Sequence, residues 1–224
     1  MIVKEELLID NLIIYQDTDL YRFTSDSILL SKFAVAKKNE RVADLCSGSG
    51  IVGIHFYALN KDKCLTVDLY EMQEELFNLC ERTIKENSLT DKVTAHNVKV
   101  QDVLVDRHNS YDVILCNPPY QKVGTGVNNL PYHLRVCREE VCLTFFEIVQ
   151  KTAKLLKPKG RFYFVNKAER LAEIMHCLVS NGLEPKTLQF IVGGDNQKPY
   201  LIMVEAIKGA KSGLTVLPNL TNKQ

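Results

Sequence analysis

Hydrophobic positions along this chain fall into short continuous runs that alternate with longer stretches at helical spacing. Leu7 to Gln16 reads as two short strands around an Asp10-Asn11 turn. Ile28, Leu29, Phe33 and Ala36 then give one apolar face to a helix from about Ser27 to Lys37, with Thr24, Ser25 and Asp26 as candidate N-caps. Arg41–Leu45 is a buried strand, Ile51–Leu59 a helix, and Cys64–Tyr70 a second strand ending at Glu71. Leu76, Leu79, Cys80, Thr83 and Ile84 mark a helix from about Gln73 to Asn87. Strands follow at Lys92–Val98 and Asp112–Cys116. Gln121 to Arg138 has no apolar period and contains Gly124, Gly126, Asn128, Asn129 and Pro131, so it reads as a long polar loop of the kind that often carries function. Beyond it the pattern gives a helix over Glu139–Lys157, stopped by Lys157-Pro158-Lys159-Gly160, a strand over Arg161–Asn166, and a helix over Ala168–Asn181 closed by Gly182. Glu184–Val192 and Tyr200–Ile207 form an antiparallel hairpin around residues 193–199, and the polar tail from Lys208 is expected to be loosely held.

Several strand ends in this series carry chemistry. The first of the alternating strands runs into Asp44-Leu45-Cys46-Ser47-Gly48-Ser49-Gly50 and then a helix, the strand–turn–helix unit that binds nucleotides in doubly wound folds. It is neither a P-loop nor a G-x-G-x-x-G turn. Glu71, one strand–helix–strand step further on, is placed to accept both vicinal hydroxyls of a ribose, or to serve as a first-turn acid of the next helix. Asp102 is a carboxylate at the same sheet edge, suited to an adenine amine or to a surface turn. Asn117-Pro118-Pro119-Tyr120 ends the fourth strand, because two prolines donate no N–H and lock φ. A rigid amide followed by an aromatic ring suits a flat, amine-bearing substrate, and in isolation a plain strand-ending turn.

Composition narrows the field without deciding it. With 224 residues, 46% of them apolar and 25% charged, the chain can bury a sizeable core as one domain. No apolar run reaches the ~20 residues of a membrane span and no signal pattern opens the chain, so a cytoplasmic protein is expected. The seven cysteines include no C-x-x-C pair and read as reduced, with no zinc site expected. The net charge of +1 divides into −6 over residues 1–120 and +7 over residues 121–224, which fits either a polyanionic partner on one side or solvated faces of unequal sign.

Taken in order, the Asp44–Gly50 loop, Glu71, Asp102 and Asn117-Pro118-Pro119-Tyr120 make the chain resemble a class I S-adenosylmethionine-dependent methyltransferase over roughly residues 20–207. The tetrapeptide resembles the signature of enzymes that methylate amines of adenine, cytosine or glutamine. Residues 7–16 and Tyr21 to Leu30 resemble the bacterial tRNA adenine N(6)-methyltransferases that modify the adenine 3′ of the anticodon of a valine tRNA. The resemblance implies a Rossmann-like α/β fold: a mostly parallel seven-stranded sheet with an antiparallel last strand, plus short N-terminal strands. It implies one domain over 1–224, with an N-terminal extension (1–20), a substrate loop (121–138) and a tail (208–224). For S-adenosyl-L-methionine it implies Phe23, Thr24 and Asp26 at the methionine end, Asp44, Cys46, Ser47, Gly48 and Gly50 in the loop, Glu71 and Met72 at the ribose, Asp102 and Val103 at the adenine, and Asn117 beside the methyl. Asn117 and the Pro118 carbonyl would accept from the target amine, and Tyr120 would stack on its base. For the tRNA anticodon stem-loop it offers Lys122, Arg135, Arg138, Lys167, Arg170 and Lys198 as phosphate contacts. No membrane or metal is implied, and the protein would be a monomer or weak dimer. One departure stands out: Cys46 occupies a position where that family usually has glycine. A ribosomal RNA or DNA adenine, a protein glutamine, or an RNA-binding role without catalysis on the same fold are the competing readings.

Overall fold

A computed structural model describes residues 1–122, 124, 131–194 and 198–222. Of the expected polar loop, Gly126, Asn128 and Asn129 lie outside the described residues, as do Asp195, Asn196 and Gln197 in the hairpin connector. Strands β1 (Ile2–Glu6) and β2 (Ile13–Asp17) form the N-terminal hairpin, with the first strand earlier in the chain than expected. Asp10 and Asn11 adopt positive φ in their connection, which these short polar side chains tolerate. Then follow α1 (Ser25–Phe33), β3 (Glu40–Leu45), α2 (Ile51–Leu59), β4 (Cys64–Glu71), α3 (Glu74–Glu86), β5 (Val93–Asn97) and β6 (Tyr111–Cys116). The second half contains α4 (Tyr132–Arg138), α5 (Phe145–Leu155), β7 (Leu156–Lys167), α6 (Leu171–Ser180), β8 (Leu183–Gly193), β9 (Pro199–Lys208), β10 (Thr215–Val216) and β11 (Leu220–Asn222).

The main sheet has the order β5-β4-β3-β6-β7-β9-β8, extended at the β8 edge by β10 and β11 to nine strands. All neighbours pair in parallel except β9, which is antiparallel to both β7 and β8. Two apolar layers cover its faces. One joins α2 and the inner sides of α1 and α3, and the other is built on α5 and α6. The register matters most at the centre: Leu45 of β3 lies beside Tyr70 of β4 and Cys116 of β6. The next residues, Cys46, Glu71 and Asn117, therefore leave three adjacent strands at one carboxyl edge, the edge where open α/β sheets bind ligands.

Three expectations fail here for identifiable reasons. The helix expected over Glu139–Lys157 begins only at Phe145, because Thr144 and Glu147 form a reciprocal capping box, and it gives way to β7 at Leu156. The segment Lys157-Pro158-Lys159-Gly160 lies within that strand and does not terminate a helix. The polar loop contains α4, a helix too short for its period to show above the surrounding polar residues. The tail is not loose. Its strands β10 and β11 run parallel to β8 and satisfy an edge that would otherwise be unpaired. Asn222 at its end donates to Ser25 Oγ at 2.9 Å and to the Tyr200 hydroxyl at 2.8 Å. Asn222→Ala removes both bonds. At ~1 kcal/mol each, and ~2–4 °C per kcal/mol for a chain of this size, differential scanning calorimetry should record a melting temperature lower by roughly 4–8 °C.

Candidate active site

The turn after β3 starts with a sequence conflict. Helix α2 has glycine at its N-cap, Gly50 at φ +87°, so no side chain there can accept the exposed N–H groups of the first turn. Asp44 supplies the acceptor from the strand instead: Gly53 N–H donates to its Oδ2 at 2.9 Å. The approach is close enough that a Cβ on Gly53 would lie 3.1 Å from Asp44 Cβ, and the Leu69 Cδ2 methyl would lie 2.4 Å from it. Asp44 is fully buried, and burial pushes its carboxyl up to about 8. Gly50 likewise serves packing, since a Cβ there would lie 3.0 Å from Ile54 Cδ1 and 3.2 Å from Cys80 Sγ. Cys46 adopts φ +60°, a conformation glycine would take without cost.

This turn floors a cavity of about 810 Å³ including its open mouth. Cys46, Ser47, Gly48 and Ser49 line it from β3, Tyr70 to Gln73 from β4, Val98, Val100 and Gln101 from the segment after β5, and Asn117 and Pro119 from β6. Tyr21, Phe23 and Ser27 close one side, and Val136, Cys137, Cys142 and Leu143 the other. Glu71 is 6% exposed and accepts from Gly48 N–H at 2.9 Å and Gln73 N–H at 2.8 Å. Burial pushes its carboxyl up to about 7 against the pull of those backbone bonds. Gly48, at φ +56°, has open space where a Cβ would stand. The cavity therefore combines a bare backbone turn, a carboxylate with room beside it, and an apolar slot between Val98, Val100 and Leu143. That donor set fits a nucleoside joined to an amino-acid chain.

At the far side Asn117 Nδ2 donates to Ser27 Oγ at 2.9 Å, and Asn117 Oδ1 accepts from the Tyr120 hydroxyl. The Tyr120 ring is packed against the core, with Lys167 Nζ 6.0 Å from its centre. Behind it, Arg170 donates to the Tyr120 carbonyl at 3.0 Å and is ion-paired with Glu140 at 2.7 Å and Glu173 at 2.8 Å.

Of the expected residues, Phe23, Cys46, Ser47, Gly48, Glu71, Met72 and Asn117 come together on the cavity wall. Asp44 and Gly50 stand behind it as described. Thr24 is exposed and Asp26 half-buried, both off the wall; burial pushes the Asp26 carboxyl up. Asp102 is exposed and Val103 belongs to the core, while the preceding Gln101 lines the cavity, because the 3-10 turn over Val100–Asp102 rotates one residue inward and the next outward. Pro118 is buried, and Pro119 lines the wall in its place. Arg170, expected on the surface, is 7% exposed and occupied by its carboxylates. Lys122 pairs with Glu173 at 2.9 Å and Arg135 with Glu139 at 3.0 Å, whereas Arg138 and Lys198 are exposed. Ser27, Gln101, Cys137 and Cys142 on the wall were not anticipated. Ser27 and Ser31 stand one helical turn apart on the buried face they share with Leu30, and that spacing is the signal for the first of them.

Residues 24–184 match the family model of the methyltransferase small domain, and the chain belongs to that family, whose methyl donor is S-adenosyl-L-methionine. A tRNA1(Val) (adenine(37)-N6)-methyltransferase of Shewanella sediminis is 23% identical over 182 residues, 79% of this chain and 72% of the relative. A protein of the same name from Dyadobacter fermentans is 25% identical over 70% of this chain and 65% of its own length. A release factor glutamine methyltransferase of Clostridium botulinum is 24% identical over 66% of this chain and 54% of the relative. The crystal structure of a predicted O-methyltransferase from Agrobacterium tumefaciens superposes with a TM-score of 0.67 at 20% identity, covering 88% of this chain and 86% of that one. Among the described residues no helix is long and apolar enough to cross a membrane, and no group of three or more His, Cys, Asp or Glu side chains is placed to hold a metal. Since a Cβ on Gly53 forces the buried Leu69 side chain to shift, Gly53→Ala should destabilise the protein by ~1–3 kcal/mol in a urea titration, with the slope unchanged.

Proposed function

We propose that this protein transfers the methyl group of S-adenosyl-L-methionine to N(6) of an adenine in tRNA, the adenine 3′ of the anticodon of a valine tRNA. The observation that carries the reading is Asn117: it ends the strand beside the Cys46 turn, lines the cavity, and its oxygen already holds an O–H donor from Tyr120. An exocyclic amine is a donor of the same kind. When bound, S-adenosyl-L-methionine supplies an electrophilic methyl on a sulfonium.

The residues of this chain do the rest. Glu71 accepts the ribose hydroxyls, the Cys46–Gly48 backbone lies along the amino-acid end, Phe23 closes that end, and Gln101 faces the cavity where Asp102 was expected. The target base is unpaired or flipped, since its amine is otherwise held in a stack. One of its N–H groups takes over Asn117 Oδ1, the Tyr120 hydroxyl leaves Asn117, and the ring becomes a stacking surface. Lys167 stands beside that ring and Arg138 is exposed at the end of α4, so both are available to phosphates. Positioning accounts for the rate, and the amine proton leaves to water after transfer. The names of the Shewanella and Dyadobacter relatives and the basic second half of the chain support RNA as the acceptor. The Clostridium relative favours a second reading, a protein glutamine, whose primary amide presents the same donor group.

Purified protein, labelled S-adenosyl-L-methionine and unmodified bulk tRNA should yield label in N(6)-methyladenosine after nuclease digestion. Asn117→Ala should lower that rate by about 10²-fold, as loss of one positioned polar group does elsewhere. Tyr120→Ala should weaken RNA binding by ~1–3 kcal/mol. Label in a release factor, with none in nucleosides, would replace this reading by the second. Glu71 adds a pH signature. The carboxylate is the form that accepts two hydroxyls, and with a carboxyl at about 7 it is lost as pH falls through neutrality. Calorimetry should therefore find S-adenosyl-L-methionine binding roughly tenfold weaker at pH 6 than at pH 8, and Glu71→Gln should bind weakly at both.

A further inference from the structure

Ser27 has no role so far, yet its hydroxyl is the partner of the group on which the proposed chemistry depends. It is 2% exposed at the start of α1, and its N–H donates to the Thr24 carbonyl at 3.1 Å, so the helix start fixes it. Ser27 lines the cavity, and its Oγ accepts from Asn117 Nδ2 at 2.9 Å. A carboxamide has one accepting and one donating end, and turning it over exchanges them with almost no change of shape. Only one orientation serves an incoming amine, the one with Oδ1 toward the acceptor site. On that side Oδ1 now takes the Tyr120 hydroxyl; on the other, Nδ2 needs an acceptor of its own.

We propose that Ser27 is a positioning residue for methyl transfer: by accepting from Nδ2 it holds the Asn117 carboxamide with its oxygen toward the target amine. This rests on the reading of Asn117 as the amine acceptor. Without the Ser27 oxygen, Nδ2 is left without an acceptor in the productive orientation, while in the inverted one it donates to the Tyr120 oxygen. The amide then meets the target amine donor against donor.

The test is a cycle with Asn117→Asp. A carboxylate accepts through either oxygen, so orientation ceases to matter in that background. With unmodified bulk tRNA and S-adenosyl-L-methionine, Ser27→Ala should lower kcat roughly 10- to 100-fold and be rescued by Ser27→Thr. In the Asn117→Asp background the same Ser27→Ala change should leave kcat where Asn117→Asp alone puts it. A Ser27→Ala enzyme with wild-type kcat, or an equal loss in both backgrounds, would overturn the proposal. A second measurement needs no substrate. In 15N-labelled protein the Asn117 side-chain amide, identified by its absence in Asn117→Asp, should show one pair of proton signals in the wild type, and a shifted or exchange-broadened pair in Ser27→Ala. An unchanged pair would overturn the role of Ser27 even if the wild type labels no tRNA, an outcome that would separately defeat the functional reading.

Discussion

The hydrogen bond from Gly53 N–H to the Asp44 carboxyl joins the central strand to the helix that follows it, and the cavity floor depends on it. A glycine-rich turn leaves the first N–H groups of α2 without a cap, and a strand side chain reaching across the turn is one of the few remedies. The remedy requires a small helix residue and a carboxyl group taken fully out of water. Both costs are visible, in the 3.1 Å that would separate a Cβ at residue 53 from Asp44 Cβ and in a carboxyl pushed up to about 8. In return the turn is drawn tight, and its backbone faces open space at Gly48.

The other wall of the site is held by charge. Arg170, beneath the tetrapeptide, spends its guanidinium on Glu140, Glu173 and the Tyr120 carbonyl. A buried cation among two carboxylates is a poor phosphate ligand but a good anchor for a backbone turn. Anchoring the carbonyl fixes the backbone of the turn and leaves the Tyr120 side chain its own torsions.

How much of this was legible in the sequence depends on what each part rests on. Alternation of apolar runs and amphipathic stretches located α2 to the residue and placed β3, β4 and β6 within a residue or so, because central strands buried on both faces are near-continuous apolar runs. The motif order then placed Glu71, the Cys46 turn and Asn117 at one edge. The failures share a different cause. The tail looked loose because edge pairing is a backbone property that polar side chains do not advertise. The start of α5 was written in Thr144 and Glu147, but the charged residues before them continued an apparent helical composition. Arg170, Gln101 and Ser27 were misjudged or missed because side-chain direction in a single turn is set by tertiary contacts.

The shared register of β3, β4 and β6 makes the sheet edge a length standard. Side chains alternate faces at every step of a strand, so one residue inserted within β4 would turn Glu71 from the cavity and carry Tyr70 into its place. One residue inserted in the polar stretch that follows Gln121 would leave the three strand ends where they are. Gains and losses of chain length are thus tolerated or fatal according to which side of this edge they fall on, and the strands can vary in composition far more freely than in count.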